Sequence, residues 1–178
     1  MPVTLSIADP AAMAQLGAAL AAELRAGDTV LLTGELGAGK TTFTRGLGAA
    51  LGVRGTVTSP TFVLARTHPR EEGPALVHVD AYRLRDAAEL EDLDLDFAGS
   101  IVVVEWGAGL LEHLVDEWLA ITIERPRGSF NNSELNDGAL DPHDALDPDE
   151  APIEPRAVTI EGVGPRWANL GWLHAARD

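Results

Sequence analysis

The chain contains a single lysine, Lys40, and it lies within the octet Gly34-Glu-Leu-Gly-Ala-Gly-Lys-Thr41. This octet fits the pattern G-x-x-x-x-G-K-[ST] of a phosphate-binding loop. The apolar run 29–33 before it predicts a strand, and residues 42–51 after it predict a helix that starts near Lys40. A phosphate-binding loop requires this order of strand, glycine-rich turn and helix. The sequence therefore predicts a binding site for a nucleoside triphosphate, with ATP as the expected ligand.

Each residue type in the octet has a physical task. Glycines at 34, 37 and 39 permit the backbone torsions that let successive N–H groups surround a phosphate chain. The helix N-terminus adds its dipole and its unpaired donors. Lys40 is expected to reach the β- and γ-phosphates, and the Thr41 hydroxyl is expected to bind Mg²⁺. The predicted nucleotide-binding residues are Glu35, Leu36, Gly37, Ala38, Gly39, Lys40, Thr41 and Thr42.

Two apolar segments, 75–80 and 100–105, read as buried strands that end in the acids Asp80 and Glu105. In α/β folds ligands bind at the carboxyl ends of parallel strands, so both carboxylates should face the loop. We expect Asp80 to hold Mg²⁺ directly or through water. Glu105 would orient or deprotonate an attacking water, or bind a metal-bound water. The predicted catalytic residues are Lys40, Asp80 and Glu105, and the predicted metal-binding residues are Thr41, Asp80 and Glu105.

The segment Ser59-Pro60-Thr61-Phe62 follows the helix after the loop, where nucleotide-sensing segments are commonly placed. It is predicted to be a switch loop, in which Thr61 adds a ligand near the γ-phosphate. His78 lies within an apolar strand, and we interpret it as a core residue rather than a base.

Strands and helices alternate along the chain, which predicts an α/β fold of the P-loop NTPase type. Its central sheet should be mainly parallel, with helices on both faces and an antiparallel edge near the C-terminus. Residues 1–178 are expected to form a single domain. Helices are expected over about 10–25, 42–51, 87–93 and 110–118, and strands over 3–7, 29–33, 62–66, 75–80, 100–105, 119–124 and 156–161.

Residues 126–155 differ in composition from the rest of the chain. From 131 to 155 there are eight acids, several prolines and no lysine or arginine. Such a polar stretch inside a domain predicts a mobile acidic insertion between two edge strands.

The formal net charge is −15, and there is no cysteine. A chain this acidic repels phosphate backbones at long range, so tight direct binding of nucleic acid is not expected. No apolar run approaches the ~18 residues of a membrane span. With no cysteine, the chain suits a reducing compartment, and we expect it in the cytoplasm.

Several nucleotide-dependent classes lack their motifs here. A GTPase would need an asparagine–lysine base-recognition motif, and there is no second lysine. A protein kinase would carry a different glycine loop and an H-R-D run. A small-molecule kinase usually has an arginine-rich lid, where this chain has only Arg125 and Arg127 before it turns acidic. An ATPase is the leading interpretation. The alternatives are a small-molecule phosphotransferase and a non-hydrolysing, nucleotide-dependent interaction module.

Four motifs in series resemble the TsaE (YjeE) family of bacterial tRNA threonylcarbamoyladenosine synthesis. They are 34–42, Ser59-Pro-Thr-Phe62, His78-Val-Asp-Ala-Tyr-Arg-Leu84 and Val104-Glu-Trp-Gly107. The resemblance implies an ATPase that is weak alone and acts on a complex of TsaB- and TsaD-type proteins. It also implies that Lys40, Thr41 and Thr42 hold phosphates and Mg²⁺, that Asp80 holds the metal and that Glu105 supports hydrolysis. Tyr82, Arg83 and Trp106 fall in the same motifs, which implies loop support or partner contact.

Overall fold

The computed structural model describes residues 1–60, 62–125 and 154–173. They form seven strands, three α-helices and three short 3₁₀ turns. The strands are β1 (Val3–Ile7), β2 (Thr29–Gly34), β3 (Ala65–His68), β4 (Leu76–Asp80), β5 (Ile101–Glu105), β6 (Trp118–Glu124) and β7 (Arg156–Val163). The helices are α1 (Pro10–Ala21), α2 (Lys40–Leu51) and α3 (Ala87–Glu91), and the 3₁₀ turns are Ala81–Arg83, Leu111–His113 and Pro165–Trp167.

All seven strands join one sheet in the order β1-β7-β6-β2-β5-β4-β3. The four central strands β6, β2, β5 and β4 are mutually parallel. At one side β7 runs antiparallel to β6 and β1 antiparallel to β7, and at the other side β3 runs antiparallel to β4. The predicted parallel centre with an antiparallel C-terminal side is confirmed.

The prediction that two edge strands flank the acidic segment is wrong in one respect. β6 and β7 do pair with each other, but both are interior strands, because β1 takes the edge by pairing with β7. Residues 126–153, most of the predicted insertion, lie outside the described residues.

The core occupies both faces of the sheet. Strands β4 and β5 are buried at every position, as expected for parallel strands covered on two sides. Helices α1 and α2 pack together on one face, while α3 and the 3₁₀ turn Leu111–His113 contribute to a second apolar cluster on the other face. The predicted placement of helices on both faces is therefore confirmed.

Helices α1 and α2 approach closely because each has a glycine at the contact. A Cβ atom added at Gly46 would lie 2.0 Å from the Ala14 carbonyl oxygen, and one at Gly17 would lie 2.2 Å from the Phe43 carbonyl oxygen. A side chain at either position would force the helices apart. This contact holds α2, the helix that follows the glycine-rich loop, against the sheet.

Two predicted boundaries differ from the structure by several residues. The first helix ends at Ala21 rather than near residue 25, because the chain must turn before β2, and the Arg25 N–H donates to the Asp28 carboxylate. The predicted strand 62–66 instead begins at Ala65, after Leu64 adopts the left-handed conformation with φ of 65°.

The predicted helix 110–118 is wrong. This segment forms only the 3₁₀ turn Leu111–His113, and Trp118 already belongs to β6. Trp118 pairs with Val163 of β7, and the residues after it pair with β2. At the end of the segment, strand pairing has overridden the local helical tendency of Trp118.

Candidate functional site

The glycine-rich loop connects the central strand β2 to α2. Gly37 and Gly39 have φ values of 72° and 119°, which favour glycine. The first hydrogen bond of α2 runs from the Phe43 N–H to the Gly39 carbonyl oxygen, 2.9 Å away. The N–H groups of residues 40–42 precede this ladder, as at any helix start. The loop and helix start therefore form a cradle of amide donors suited to an anion.

The strand β6 supports the same loop from one side. A Cβ atom at Gly34 would lie 2.6 Å from the Ile123 carbonyl oxygen, so the loop can start this close to β6 only with glycine. Beyond the end of β6, Arg125 donates a 3.0 Å hydrogen bond from Nη2 to the Gly37 carbonyl oxygen. The sequence pointed to Arg125 only as a possible lid residue, not as a contact of this loop.

Lys40 is folded back onto its own loop and is 5% exposed. Its Nζ donates to the carbonyl oxygens of Gly34 at 2.8 Å and Glu35 at 3.1 Å. The same atom lies 4.0 Å from Oε2 of Glu105 and 4.5 Å from the ring centroid of Trp106. Burial lowers the pKa of Lys40, while the carboxylates of Glu105 and Asp80 oppose that shift.

The two predicted carboxylates lie side by side. Asp80 and Glu105 are the last residues of the parallel neighbours β4 and β5 and are paired in register. They are 7% and 5% exposed. One oxygen of Asp80 accepts the Tyr82 N–H at 3.0 Å. The structure thus brings Lys40 and both acids together, as the strand pattern predicted.

His78 contacts Glu105, which sequence reasoning missed. It is fully buried, as expected of a core residue, but its Nε2 lies 2.7 Å from Oε1 of Glu105. The signal was available: side chains two apart on a strand share a face, so His78 and Asp80 lie on the same side of β4. Adjacent parallel strands in register then place Glu105 of β5 next to both.

Lys40, Asp80 and Glu105 border a cavity of about 460 Å³. Tyr82 and Trp106, for which the family resemblance implied only loop support or partner contact, form part of its wall. Their rings meet edge to face with centroids 5.5 Å apart. Trp106 has a φ of 62°, unusual for a large side chain, and it directly follows Glu105. The cavity is lined by Leu36, Gly37, Gly39, Lys40, Thr41, Thr42, Ser59, Asp80, Tyr82, Glu105 and Trp106.

The remaining predicted residues are placed as follows. Glu35 and Ala38 shape the loop, since the Ala38 N–H donates to the Glu35 carbonyl oxygen at 3.1 Å. In the predicted switch loop, Ser59 lines the cavity, Pro60 is buried and Phe62 is 92% exposed. Thr61 lies outside the described residues.

The side-chain oxygens at the cavity fit a Mg²⁺ ion for which the protein supplies only some of the ligands. Thr41, Asp80 and Glu105 all border the cavity and provide the oxygen atoms that Mg²⁺ prefers. In the described part of the chain, no three acidic, histidine or cysteine side chains converge as a complete metal site. Magnesium sites beside phosphates commonly have this character, because water and phosphate oxygens supply the remaining ligands.

A central parallel strand leads into a glycine-rich loop, the following helix starts at a lysine, and the neighbouring strands end in acids. These features define a P-loop α/β protein. The chain matches the family model "Threonylcarbamoyl adenosine biosynthesis protein TsaE" over residues 7–132. It belongs to the TsaE family, which takes part in tRNA threonylcarbamoyladenosine biosynthesis.

Similar proteins agree with this assignment. The chain is 52% identical over 160 residues to the tRNA threonylcarbamoyladenosine biosynthesis protein TsaE of Streptomyces coelicolor, covering 88% of this chain and 94% of that protein. The protein of the same name from Bacillus subtilis is 42% identical over 125 residues, or 68% of this chain and 75% of that protein. The crystal structure of Bacillus subtilis YdiB has a TM-score of 0.68 at 26% identity, covering 99% of this chain and 95% of that chain.

Across residues 1–60, 62–125 and 154–173, no helix is long and apolar enough to cross a membrane.

Proposed function

We propose that this protein binds Mg²⁺-ATP in the cavity at the end of β2 and hydrolyses it, as the ATPase component of tRNA threonylcarbamoyladenosine synthesis. One observation carries the proposal: the amide cradle and Lys40 of the loop border the same cavity as the two buried carboxylates Asp80 and Glu105. The amide cradle and Lys40 alone would be enough to bind phosphate groups. Acids beside them provide groups for the chemical step.

Each side chain has a distinct role in this proposal. The ammonium of Lys40 leaves the carbonyl oxygens of its own loop and contacts the β- and γ-phosphates. Thr41 and Asp80 hold Mg²⁺, which when bound neutralises phosphate charge. Glu105 accepts a hydrogen bond from the attacking water and orients it. Its burial against the sheet limits the positions that its carboxylate can reach.

The proposed partners are proteins of the TsaB and TsaD type, and the proposed location is the cytoplasm. The family membership supports a role within that biosynthetic machinery. Leu36 lines the cavity and is 91% exposed, an apolar side chain that a protein partner would cover. Since the net charge is −15, we assign recognition of the tRNA to the partners rather than to this chain.

Calorimetry with Mg²⁺ and a non-hydrolysable ATP analogue tests the binding step. Lys40→Ala should weaken binding at least about tenfold, since it removes the only side-chain cation among the described residues that line the cavity. Arg45→Ala is the matched control, because it removes a cation from the same helix whose Nε donates instead to the Val57 carbonyl oxygen. Equal affinity for the wild type and Lys40→Ala would contradict the site assignment.

Phosphate release tests the chemical step, with and without TsaB- and TsaD-type proteins. Asp80→Ala should abolish hydrolysis while largely preserving binding of the analogue, and unchanged turnover would remove Asp80 from the mechanism. Transfer of phosphate to a hydroxyl acceptor instead of release into solution would identify a phosphotransferase. Nucleotide-dependent melting without phosphate release, even with partners present, would identify a non-hydrolysing module.

A further inference from the structure

We propose that His78 is a positioning residue that fixes the carboxylate of Glu105 for ATP hydrolysis. This inference rests on the proposed function and extends it to a residue that does not line the cavity. Its basis is the 2.7 Å contact between His78 Nε2 and Glu105 Oε1, made between two buried side chains on adjacent strands.

The hydrogen on the His78 ring can be assigned from its surroundings. An ionised carboxylate only accepts hydrogen bonds, so Nε2 of His78 must donate to Glu105. The other ring nitrogen, Nδ1, is buried and has no hydrogen-bond partner among the described residues. A hydrogen on Nδ1 would be an unpaired buried donor, which is costly. With Glu105 as a carboxylate, these surroundings favour the Nε2–H tautomer of the ring.

This hydrogen bond decides which carboxylate oxygen faces the reaction. Oε1 of Glu105 is hydrogen-bonded to His78, whereas Oε2 lies on the side of Lys40, 4.0 Å from its Nζ. Lys40 cannot orient the carboxylate by itself, because its ammonium makes the shorter contacts to Gly34 and Glu35.

The hydrogen bond between His78 and Glu105 does not depend on a bound nucleotide. Lys40 must release its loop carbonyl oxygens to reach a phosphate, so its contacts change on binding. His78 is instead fully buried in the interior strand β4, between β3 and β5. A long glutamate side chain without this fixed donor would lose its defined orientation, and rotamer freedom would reduce the fraction aligned with the attacking water.

Turnover and affinity of His78→Leu separate positioning from a general structural role. We expect kcat to fall about tenfold to a hundredfold, while the Kd for the ATP analogue stays within about twofold. His78→Gln should restore most of the turnover, since its amide Nε2 can donate in place of the ring nitrogen. Thr29→Val is the control: it removes another fully buried polar side-chain atom, at the start of β2 and away from the glycine-rich loop. It should leave kcat unchanged.

Wild-type turnover in His78→Leu would overturn the proposal, and so would a His78→Gln variant as impaired as His78→Leu. A fall in kcat of the same size in Thr29→Val would assign the effect to the sheet rather than to Glu105, and would also overturn the proposal.

Nitrogen-15 NMR of the histidine side chains provides a readout without nucleotide. The wild type should show His78 as the Nε2–H tautomer, and Glu105→Ala should shift that signal or abolish it. An Nδ1–H tautomer, or a signal indifferent to Glu105→Ala, would refute the contact itself. If the wild type fails to bind or hydrolyse ATP, the proposed function fails, while this spectrum still decides whether His78 holds Glu105.

Discussion

Replacement of Arg166 by methionine should destabilise the protein far more than an ordinary surface arginine would. Arg166 follows β7 in the 3₁₀ turn Pro165–Trp167 and ties this C-terminal turn to the chain before β2. Its Nε and Nη2 donate to the two oxygens of Asp28 at 3.0 and 2.9 Å. Its guanidinium also lies 4.3 Å from the centroid of the Trp167 ring.

The size of this loss of stability follows from the burial of Asp28. The Asp28 side chain is 5% exposed, whereas that of Arg166 is 23% exposed. Removing one partner of a fully buried ion pair costs about 3–5 kcal/mol, because the other charge stays buried and uncompensated. We expect a loss of about 3 kcal/mol in the free energy of unfolding, at the lower end of this range. Arg166 is partly exposed, and Asp28 keeps the hydrogen bond from the Arg25 N–H. For a chain of 178 residues this corresponds to a fall in Tm of roughly 6–12 °C.

Urea unfolding of Arg166→Met should be compared with that of Arg156→Met. Arg156 is a matched control: its side chain is 22% exposed, but its acidic neighbour, Glu154, is 52% exposed. The control should lose at most about 1 kcal/mol. Adding Asp28→Asn to Arg166→Met should recover part of the loss, because the amide carries no buried charge. Equal losses in the two arginine variants, or no recovery with Asp28→Asn, would refute this reasoning.

Three further outcomes are expected. Gly46→Ala should lower the free energy of unfolding, measured by urea titration, by about 2 kcal/mol. A Cβ atom 2.0 Å from the Ala14 oxygen causes strain that outweighs the better helix propensity of alanine. A stabilised variant would contradict the close packing of the two helices. Burial, with the guanidinium of Arg66 nearby, lowers the pKa of His68, so the unfolded chain takes up that proton first and stability falls as pH drops below about 6.5. His68→Gln should flatten this decline in unfolding midpoints measured from about pH 7.5 to 5.5, and an unchanged slope would exclude His68 as its source. Arg125→Met should change stability by at most about 0.5 kcal/mol, because its hydrogen bond to the loop is exposed; a larger loss in the same titration would show that this bond holds the loop.

The glycine-rich loop was predictable because its geometry is local. Gly37, Gly39 and Lys40 are consecutive or nearly so, and the strand before them and the helix after them occur where hydrophobic patterning placed them. The two acids were predictable by a single added rule, that parallel strands present their carboxyl ends at one edge. Their roles in magnesium binding and hydrolysis stay predictions.

Other features depend on which strands become neighbours. The segment 110–118 looked helical by itself, yet Trp118 entered β6, where it pairs with β7 and the residues after it pair with both β2 and β7. Similarly, β1 became the edge strand by pairing with β7, more than 140 residues away in the sequence. Neither pairing has a local signal.

Short-range spacing and the period of buried side chains were enough to predict the phosphate-binding loop, the strands that end in Asp80 and Glu105 and the α/β class. Three other features required the folded chain: the contact of His78 with Glu105, the packing of Trp106 over Lys40 and the pairing of β1 with β7 at the edge of the sheet. Those contacts join residues far apart in the chain, and their geometry exists only once strand register and packing have brought the side chains together.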